Sequence, residues 1–445
     1  MTKRQELESL VNKLKKSYPH DTFDEVVVQS RMINNLKIIG ITGSNGKTSV
    51  AVLLYGYLKN MNKRCVLFSS GGIVLEGSNY NEEKEVDVPI FSYTSVIHAI
   101  DGALKTKAEY LIIEVNEKAL QEGLLDEVPF DIRVITNIVP KHNTLSYTEE
   151  EYINLKKSFI ENKNNSLCIF GIDSINIYNN LISSCSNYKI YSSEYIKNVF
   201  NIDNVSYLLL PYNEEFDTIN GLKFKVKTEN NTYSFNTNLI MPFNALNITL
   251  VIGILEELNE FDYETFKEYI QNITIPGRDE VIRYNNRTII ISLTLAPHLE
   301  VLKRYQERNE INKIRLVTGM YGTGFNSWTS EYKSDNYKSY VNESMKWAYN
   351  YIKKNASKIY ITSNDNAKDD ITALLNIQKQ ELKDVNNFKL IENRKEAIKE
   401  AIIESEEGDV IFISGRGNKE VFCKSEYKIE LFKDSDVVNE IIKGK

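Results

Sequence analysis

Cysteine is scarce in this 445-residue chain, and the four cysteines that occur lie far apart. They stand at positions 65, 168, 185 and 423, so no C-x-x-C pair indicates a zinc site. Their spacing does not suggest a disulfide framework either. Isolated thiols of this kind are typical of a reducing compartment, and we therefore expect a cytoplasmic protein.

Long apolar runs are missing as well. The first residues, MTKRQEL, are polar and lack the apolar stretch of a signal peptide. No apolar run in the sequence is long enough to cross a bilayer, and we see no internal repeat. The net charge of -7 gives the chain as a whole no basic footprint for nucleic acid. We therefore expect neither a membrane nor a nucleic acid among the partners.

The sequence does contain a regular alternation of strand-like and helical segments. Hydrophobic residues make up 42% and charged residues 26%, as in a globular protein, and the length predicts two or three domains. From Ile38 onward, apolar strands alternate with helical patterns, which predicts an α/β fold with a mostly parallel sheet. A second such series follows IPGR at 275–278 and predicts a Rossmann-like α/β domain. We expect a short N-terminal segment over 1–36, a P-loop central domain over 37–274 and a C-terminal domain over 275–445.

The stretch GITGSNGKTS from Gly40 to Ser49 joins a predicted buried strand to a predicted helix. Its GKT ending is typical of a phosphate-binding loop, in which glycine amides surround the phosphates and a helix N-terminus adds partial positive charge. Lys47 would reach the outer phosphates, and the Thr48 hydroxyl can bind Mg²⁺. The usual spacing G-x-x-x-x-G-K-[ST] places a glycine where this chain has Ile41. The alternative is a glycine-rich turn that binds nothing, but such a turn does not require the GKT ending.

Further polar residues stand at the predicted strand ends and on one helix. Glu114 ends the apolar strand YLIIEV, where a carboxylate near a phosphate loop suits Mg²⁺; a carboxylate that merely pairs with a lysine is the alternative. His142 lies in a predicted loop and Lys156 on a predicted helix. Spacing alone does not distinguish these two from ordinary surface residues. That helix is predicted to begin at Thr148, with Glu151 completing a capping box.

Eight short motifs, in order along the chain, resemble those of the Mur ligase family. The loop GITGSNGKT is similar to the family's G-x-T-G-T/S-N-G-K-T, which also lacks glycine at the position of Ile41. The other seven motifs are EV at Glu114, TN at Thr136 followed by His142, EY at Glu151 with Lys156, FN at Phe243 with Asn247, PGR ending at Arg278, SNDNAK from Ser363 to Lys368, and GRG from Gly415. The resemblance covers residues 37 to 445 and is nearest to the branch of UDP-N-acetylmuramoyl-tripeptide synthetases.

The resemblance implies an ATP-dependent ligase that joins a small-molecule carboxylate to an amino acid or another amine. In this family the substrate carboxylate takes the γ-phosphate of ATP and becomes an acyl phosphate. The amine then attacks the carbonyl carbon, and phosphate leaves. Because two anions must approach each other, cations have to neutralise the transferring phosphoryl group, and the resemblance assigns this to Lys47 and two Mg²⁺ ions.

The resemblance also implies a set of site residues. The residues expected to bind ATP are Gly43, Ser44, Asn45, Gly46, Lys47, Thr48 and Ser49 in the loop, Asn244 and Asn247 at the adenine, and Arg278 at the hinge. The catalytic residues would be Lys47, Glu114, His142 and Lys156. The metal-binding residues would be Thr48, Glu114, His142 and Lys156, the last as a carbamylated lysine whose charge has become negative. The residues expected at the substrates are Thr94, Ser95, Asn116, Asp365, Asn366 and Lys368.

The departures from the family concentrate in the motifs that bind substrate. In E-V-S-S-H-A-L, the two serines and the histidine are replaced by Asn116, Glu117 and Lys118. The arginine of D-N-P-R becomes Lys368, and the aspartate expected on the ATP ribose becomes Ser292. Only 36 residues precede the first predicted strand, so we expect the family's N-terminal uridine-nucleotide domain to be lacking. A partner protein that supplies the substrate is therefore an open alternative.

These departures lead to the hypothesis of a ligase that joins a different carboxylate to a different amine. The standard muramoyl-tripeptide synthetase activity is an alternative within the same class. A P-loop kinase or NTPase, which would transfer phosphate to a stable acceptor, is a second alternative. A non-catalytic relative that only binds ATP is the third.

Overall fold

The computed structural model describes residues 9, 35–69, 72–75, 78–79, 93–126, 128–139, 147–163, 165–172, 175–211, 216–322, 346–366, 369–425 and 428–444. Most of the predicted N-terminal segment therefore lies outside the described residues. Within the described ranges, no helix combines the length and the apolar character needed to cross a membrane.

The chain divides into two compact units. The first consists of Met1–Phe216, Lys223–Asn236 and Phe243–Asn272, and the second of Asp217–Leu222, Thr237–Pro242 and Ile273–Lys445.

The first part of the chain contributes twelve strands and eight helices among the described residues. The strands are β1 (Lys37–Thr42), β2 (Cys65–Ser69), β3 (Gly72–Leu75), β4 (Ser78–Asn79), β5 (Tyr110–Glu114), β6 (Ile132–Ile135), β7 (Leu167–Gly171), β8 (Tyr188–Ser193), β9 (Tyr207–Pro211), β10 (Asp217–Thr218), β11 (Gly221–Lys227) and β12 (Thr232–Thr237). The helices are α1 (Lys47–Asn60), α2 (Tyr93–Lys105), α3 (Glu117–Gln121), α4 (Glu149–Ser158), α5 (Ile175–Ile182), α6 (Glu194–Phe200), α7 (Phe243–Glu257) and α8 (Tyr263–Gln271).

These strands form one sheet in the order β10-β11-β9-β8-β7-β6-β1-β5-β2-β3-β4, with β12 paired to β11. The strands from β2 across to β9 run parallel, and antiparallel pairs occur towards both ends. β1 lies between β5 and β6, so the chain changes direction across the sheet at β1. Ligands of open α/β sheets bind at such a switch point, beyond the carboxyl ends of the strands.

The sequences of the central strands explain their position in the sheet. β1 reads KIIGIT and β5 reads YLIIE, and every residue of these two strands except Lys37 is buried. Parallel strands covered on both faces require such continuous apolar runs. The helix α7, which packs against α1, is apolar nearly all round and is buried accordingly.

The second unit has its own mostly parallel sheet, in the order β13-β14-β18-β15-β16-β17. Its strands, with a separate β19–β20 pair, are β13 (Glu280–Tyr284), β14 (Arg287–Ser292), β15 (Ile314–Thr318), β16 (Lys358–Ile361), β17 (Phe388–Leu390), β18 (Val410–Ser414), β19 (Val421–Ser425) and β20 (Lys428–Leu431). The helices are α9 (Ala296–Glu307), α10 (346–355), α11 (Ile371–Glu381), α12 (Arg394–Ile403) and α13 (Asp434–Lys443). The predicted α/β fold class, with a mostly parallel sheet and a second α/β sheet, is confirmed.

Candidate active site

The phosphate loop leaves β1 after Thr42 and ends where α1 begins at Lys47. Gly43 has a φ of 142° and Gly46 a φ of 83°, values that L side chains rarely adopt. A Cβ on Gly43 would also collide with the hydroxyl of Thr136. The two glycines therefore permit a loop that the chain could not form with larger residues, and this loop delivers the backbone to the N-terminus of α1.

The segment after β6 holds this loop in place. The amide of Ser44 donates to the carbonyl of Asn137 at 2.9 Å, and the amide of Asn45 donates to Asn137 Oδ1 at 2.9 Å. The hydroxyl of Thr136 donates to the carbonyl of Asn45. The TN pair noted in the sequence thus contacts the backbone of the phosphate loop directly.

Lys47 is folded over the loop from which it projects. Its Nζ donates to the carbonyl of Gly43 at 2.7 Å and to that of Ser44 at 3.2 Å. The ammonium group therefore lies at the loop, where phosphates are expected. Ser49, two residues further along α1, is buried.

Thr48, in the first turn of α1, approaches Glu114, the last residue of β5. The Thr48 hydroxyl donates to Glu114 Oε1 at 3.1 Å, and Glu114 pairs in register with Ile41 of β1. A hydroxyl and a carboxylate are hard oxygen ligands, and Mg²⁺ typically takes one or two such groups with phosphates and water completing its shell. Groups of three or more His, Cys, Asp or Glu that could hold a metal do not occur among the described residues.

Lys156 lies in a fully buried polar cluster beside the loop. Its Nζ is 2.6 Å from Glu117 Oε1 and donates to the hydroxyl of Thr42 at 3.1 Å. The phenol of Tyr152 donates to Glu117 Oε1 at 3.1 Å and lies 2.9 Å from Ser44 Oγ. The side chains of Lys156 and Glu117 are 0% and 6% exposed, so this ion pair has almost no contact with solvent.

Burial and charge shift the pKa values of this pair. Burial lowers the pKa of Lys156 to about 8, although the Glu117 carboxylate opposes the shift. Burial alone would raise the pKa of Glu117, but the charges of Lys47 and Lys156 outweigh it and lower that pKa to about 2. Glu117 is therefore ionised at neutral pH.

The helix that carries Lys156 and Tyr152 begins as the sequence predicted. Thr148 Oγ1 accepts from the amide of Glu151 at 3.2 Å, and Glu151 Oε2 accepts from the amide of Thr148 at 2.7 Å. This reciprocal pair is a capping box, so that prediction is confirmed. It sets the start of α4, and with it the position of Lys156 on the last turn.

The residues expected at the carboxylate substrate lie at helix starts. Asn116 caps α3, because its Oδ1 accepts from the amide of Ala119 at 2.8 Å. Thr94 and Ser95 lie in the first turn of α2. β5 ends at Glu114, and Asn116 lies two residues further along the chain, at the same edge of the sheet.

The two asparagines expected at the adenine lie in the first turns of α7. The Nδ2 of Asn247 donates to Asn244 Oδ1 at 3.1 Å, and both side chains are buried. A Cβ on Gly46 would lie 2.7 Å from Asn247 Oδ1. The structure thus brings Asn247 directly against the phosphate loop.

In the second unit, the aspartate of the SNDNAK motif is already paired. Asp365 forms an ion pair with Arg416 of the GRG motif, and both side chains are fully buried. Asp365 Oδ1 also accepts from the amide of Cys423 at 3.0 Å. Asn366, the next residue, donates from Nδ2 to the carbonyl of Lys424 at 3.2 Å. Arg278, of the PGR motif, donates from its backbone amide to the carbonyl of Ile275 at 2.9 Å.

Two of the expected site residues, His142 and Lys368, lie outside the described residues. Sequence reasoning missed Glu117 as the partner of Lys156, and it missed Arg416 as the partner of Asp365. The only sequence signal for Glu117 was a charged residue in a place where the family carries serine.

The fold and this cluster define a class of protein. A glycine loop at the switch point of a parallel sheet, followed by a helix N-terminus, a lysine and a hydroxyl–carboxylate pair, is typical of sites that bind nucleotide phosphates. Residues 41–255, just under half of the chain, match the Mur ligase middle domain, and this part of the chain is assigned to the Mur ligase family.

Named relatives and solved structures agree with this assignment. A UDP-N-acetylmuramoyl-L-alanyl-D-glutamate–2,6-diaminopimelate ligase of Buchnera aphidicola is 25% identical over 432 residues, which are 93% of this chain and 77% of the relative. A folylpolyglutamate synthase from Thermotoga maritima superposes with a TM-score of 0.63 at 18% identity, over 99% of this chain and 94% of that structure. A MurF ligase from Thermotoga maritima in complex with ADP superposes with a TM-score of 0.59 at 13% identity, over 92% of this chain and 80% of that structure. At these identities the two structures show that the fold is shared.

Proposed function

We propose that the chain forms an amide bond between a small-molecule carboxylate and an amino acid or another amine, through an acyl phosphate made from ATP. The observation that carries this proposal is the meeting of Lys47, the Thr48–Glu114 pair and the buried Lys156 at one phosphate loop. In this proposal residues 37–274 form the ATP-binding domain and residues 275–445 the C-terminal domain of the ligase.

ATP is the proposed nucleotide. In this proposal Lys47 and those amides of the loop Gly43–Ser49 that do not donate to Asn137 bind the phosphates, and the ADP bound to the Thermotoga maritima MurF ligase supports the choice of ATP. Asn247 lies against Gly46, so the start of α7 is well placed to contact the rest of the nucleotide. The role of Arg278 at the hinge stays a proposal from its motif.

Mg²⁺ fits the donor set that the structure presents. Thr48 Oγ1 and Glu114 Oε1 are 3.1 Å apart and would hold one ion, which supplies positive charge to the γ-phosphate when bound. A second ion at His142 stays a proposal from sequence resemblance alone.

The chain's own residues would then carry out the following steps. Lys47 neutralises charge as the substrate carboxylate oxygen bonds to the γ-phosphorus and the bond to the β-phosphate oxygen breaks, releasing ADP. The amine nitrogen next bonds to the carbonyl carbon of the acyl phosphate. The C–O bond to phosphate breaks, phosphate leaves, and the nitrogen gives up a proton.

The substrates are proposed as a class only. Replacement of the family's serine by Glu117, together with the closed Asp365–Arg416 pair, supports a carboxylate and an amine that differ from those of the relatives. The name of the Buchnera relative supports a second candidate, the joining of UDP-N-acetylmuramoyl-L-alanyl-D-glutamate to 2,6-diaminopimelate. A cytoplasmic location is proposed as well, because all four cysteines are free thiols.

Release of ADP and phosphate across a grid of carboxylates and amines tests the proposal. We expect release that requires both substrates, and a product whose mass is their sum less water. The matched variants are Lys47→Ala, which should abolish turnover, and Lys59→Ala in the last turn of the same helix, which should not. Release of AMP would exclude the acyl phosphate. A stable phosphorylated product would identify a kinase, and ATP binding without turnover on any pair would favour a non-catalytic relative.

A further inference from the structure

The surroundings of Lys156 bear directly on its expected carbamylation. Its Nζ touches Glu117 Oε1 at 2.6 Å and the Thr42 hydroxyl at 3.1 Å, and its side chain is 0% exposed. Carbamylation adds CO₂ to the neutral amine and releases a proton, so the nitrogen loses its charge and gains a carboxylate. Both the space around Nζ and the sign of the charge there would have to change.

Glu117 already supplies a carboxylate at this place. It belongs to the first turn of α3, whose start is fixed by the cap at Asn116, so its position is determined by the backbone. A carbamate on Lys156 would place a second negative charge beside the buried carboxylate of Glu117. Like charges without solvent are costly, and the attraction that now stabilises the pair would become repulsion.

Glu117 is also connected to the phosphate loop. The phenol of Tyr152 bridges Glu117 Oε1 at 3.1 Å and Ser44 Oγ at 2.9 Å, and Ser44 Oγ accepts from the amide of Val139 at 2.8 Å. A change in Glu117 therefore reaches the loop through two hydrogen bonds. On the other side, Lys156 contacts Thr42, the last residue of β1.

We propose that the carboxylate of Glu117 supplies, from the chain itself, the negative charge that carbamylation would add, and that Lys156 acts unmodified as an ammonium group. Glu117 is in this view a positioning residue that holds Lys156 and, through Tyr152, the phosphate loop. Its catalytic consequence rests on the proposed ligase function, whereas the state of Lys156 does not.

Whether Lys156 is carbamylated can be tested without a ligase assay. The wild-type protein is incubated with bicarbonate, carbamates are trapped chemically, and the peptide that contains Lys156 is weighed by mass spectrometry. We expect the unmodified mass in the presence and absence of bicarbonate. A trapped carboxyl group on Lys156 would overturn the proposal, even if no ligase substrate had been found.

Two matched variants test the role of Glu117. In CO₂-free buffer, Glu117→Ser should lower ligation by about 10–100-fold, and bicarbonate should restore part of it because Lys156 can then take up CO₂. Glu122→Ser, at the exposed end of the same helix, should match the wild type, whose rate should not respond to bicarbonate. Thermal unfolding and binding of an ATP analogue confirm that each variant is folded. A Glu117→Ser variant with the wild-type rate in CO₂-free buffer would overturn the proposal. A folded variant that stays equally slow with bicarbonate would also overturn it, because a carbamate would then not replace the charge of Glu117.

Discussion

Gly46 and Asn247 face each other so closely that a Cβ at Gly46 would lie 2.7 Å from Asn247 Oδ1. The first residue belongs to the phosphate loop and the second to α7, and the two are about 200 positions apart in the sequence. Because Gly46 also has a φ of 83°, two separate causes require glycine at this position.

Gly46→Ala should therefore weaken both the fold and nucleotide binding. The left-handed backbone costs about 1–2 kcal/mol for a residue with a Cβ, and the displaced Asn247 adds to this loss. Thermal unfolding and calorimetric titration with an ATP analogue measure the two effects. In Gly46→Ala/Asn247→Ala the collision is relieved and only the backbone strain remains, so part of the stability should return. Equal stability of Gly46→Ala and the wild type would contradict both causes.

The contact between Thr48 and Glu114 predicts a shared effect on the Mg²⁺ requirement. Thr48→Val keeps the shape but removes the hydroxyl, and Glu114→Gln removes the charge. Each should lower the rate of ADP release by about 10²-fold or more and raise the Mg²⁺ concentration needed for half-maximal release. A magnesium titration at saturating ATP measures this.

The controls for this prediction keep the position and change the chemistry. Thr48→Ser retains a hydroxyl and should remain close to the wild type. Glu109→Gln, next to the start of β5, removes a partly exposed carboxylate that pairs with Arg64, and the magnesium dependence should not change. An unaltered magnesium curve for Glu114→Gln would show that Glu114 is not a metal ligand.

Lys419 predicts a pH dependence of stability in alkaline solution. The Lys419 side chain is only partly buried, with 30% of its surface exposed, and this partial burial lowers its pKa from 10.5 to about 8, with Asp365 opposing the shift. Between pH 8 and 10.5 the unfolded chain therefore holds a proton that the folded chain has lost. Stability rises with pH wherever the unfolded state binds more protons, so this contribution increases as the pH rises through that window.

The variant Lys419→Met isolates this contribution. The difference in the free energy of unfolding between wild type and Lys419→Met should shift in favour of the wild type as the pH rises from about 8 to about 10.5. Denaturant unfolding at a series of pH values measures it. Lys395→Met, at an exposed lysine of α12, corrects for the general effect of removing a lysine. A difference that falls over this window would mean that Lys419 is stabilised in its charged form.

The central strands and the start of α4 could be predicted because their signals are local. β1 and β5 are continuous apolar runs, and the capping box involves residues only three positions apart in the sequence. The Glu117–Lys156 pair could not be predicted in this way. It joins the start of α3 to the last turn of α4, and no periodicity or spacing in the sequence connects these two positions.

The same reason explains why the state of Asp365 was missed. The sequence places it in a motif whose resemblance implies substrate binding, but its charge is neutralised by Arg416, which stands after another strand of the same sheet. The strand order determines which side chains face each other beyond the ends of parallel strands. This order depends on the whole chain and cannot be predicted from one segment of the sequence.

The buried pair of Arg394 and Asp434 joins the starts of α12 and α13 and predicts a large loss of stability when it is broken. Arg394 Nε and Nη2 each lie 2.8 Å from one oxygen of Asp434, and both side chains are 0% exposed. Asp434→Asn removes the charge and leaves the buried guanidinium uncompensated, so it should cost about 3–5 kcal/mol in the free energy of unfolding.

The same two helices carry an exposed ion pair that serves as the control. Lys395 and Glu440 are also 2.8 Å apart, and Glu440→Gln should cost no more than about 1 kcal/mol in the free energy of unfolding. Denaturant unfolding of both variants measures these two losses. Equal losses in the free energy of unfolding would mean that burial does not determine the strength of these ion pairs.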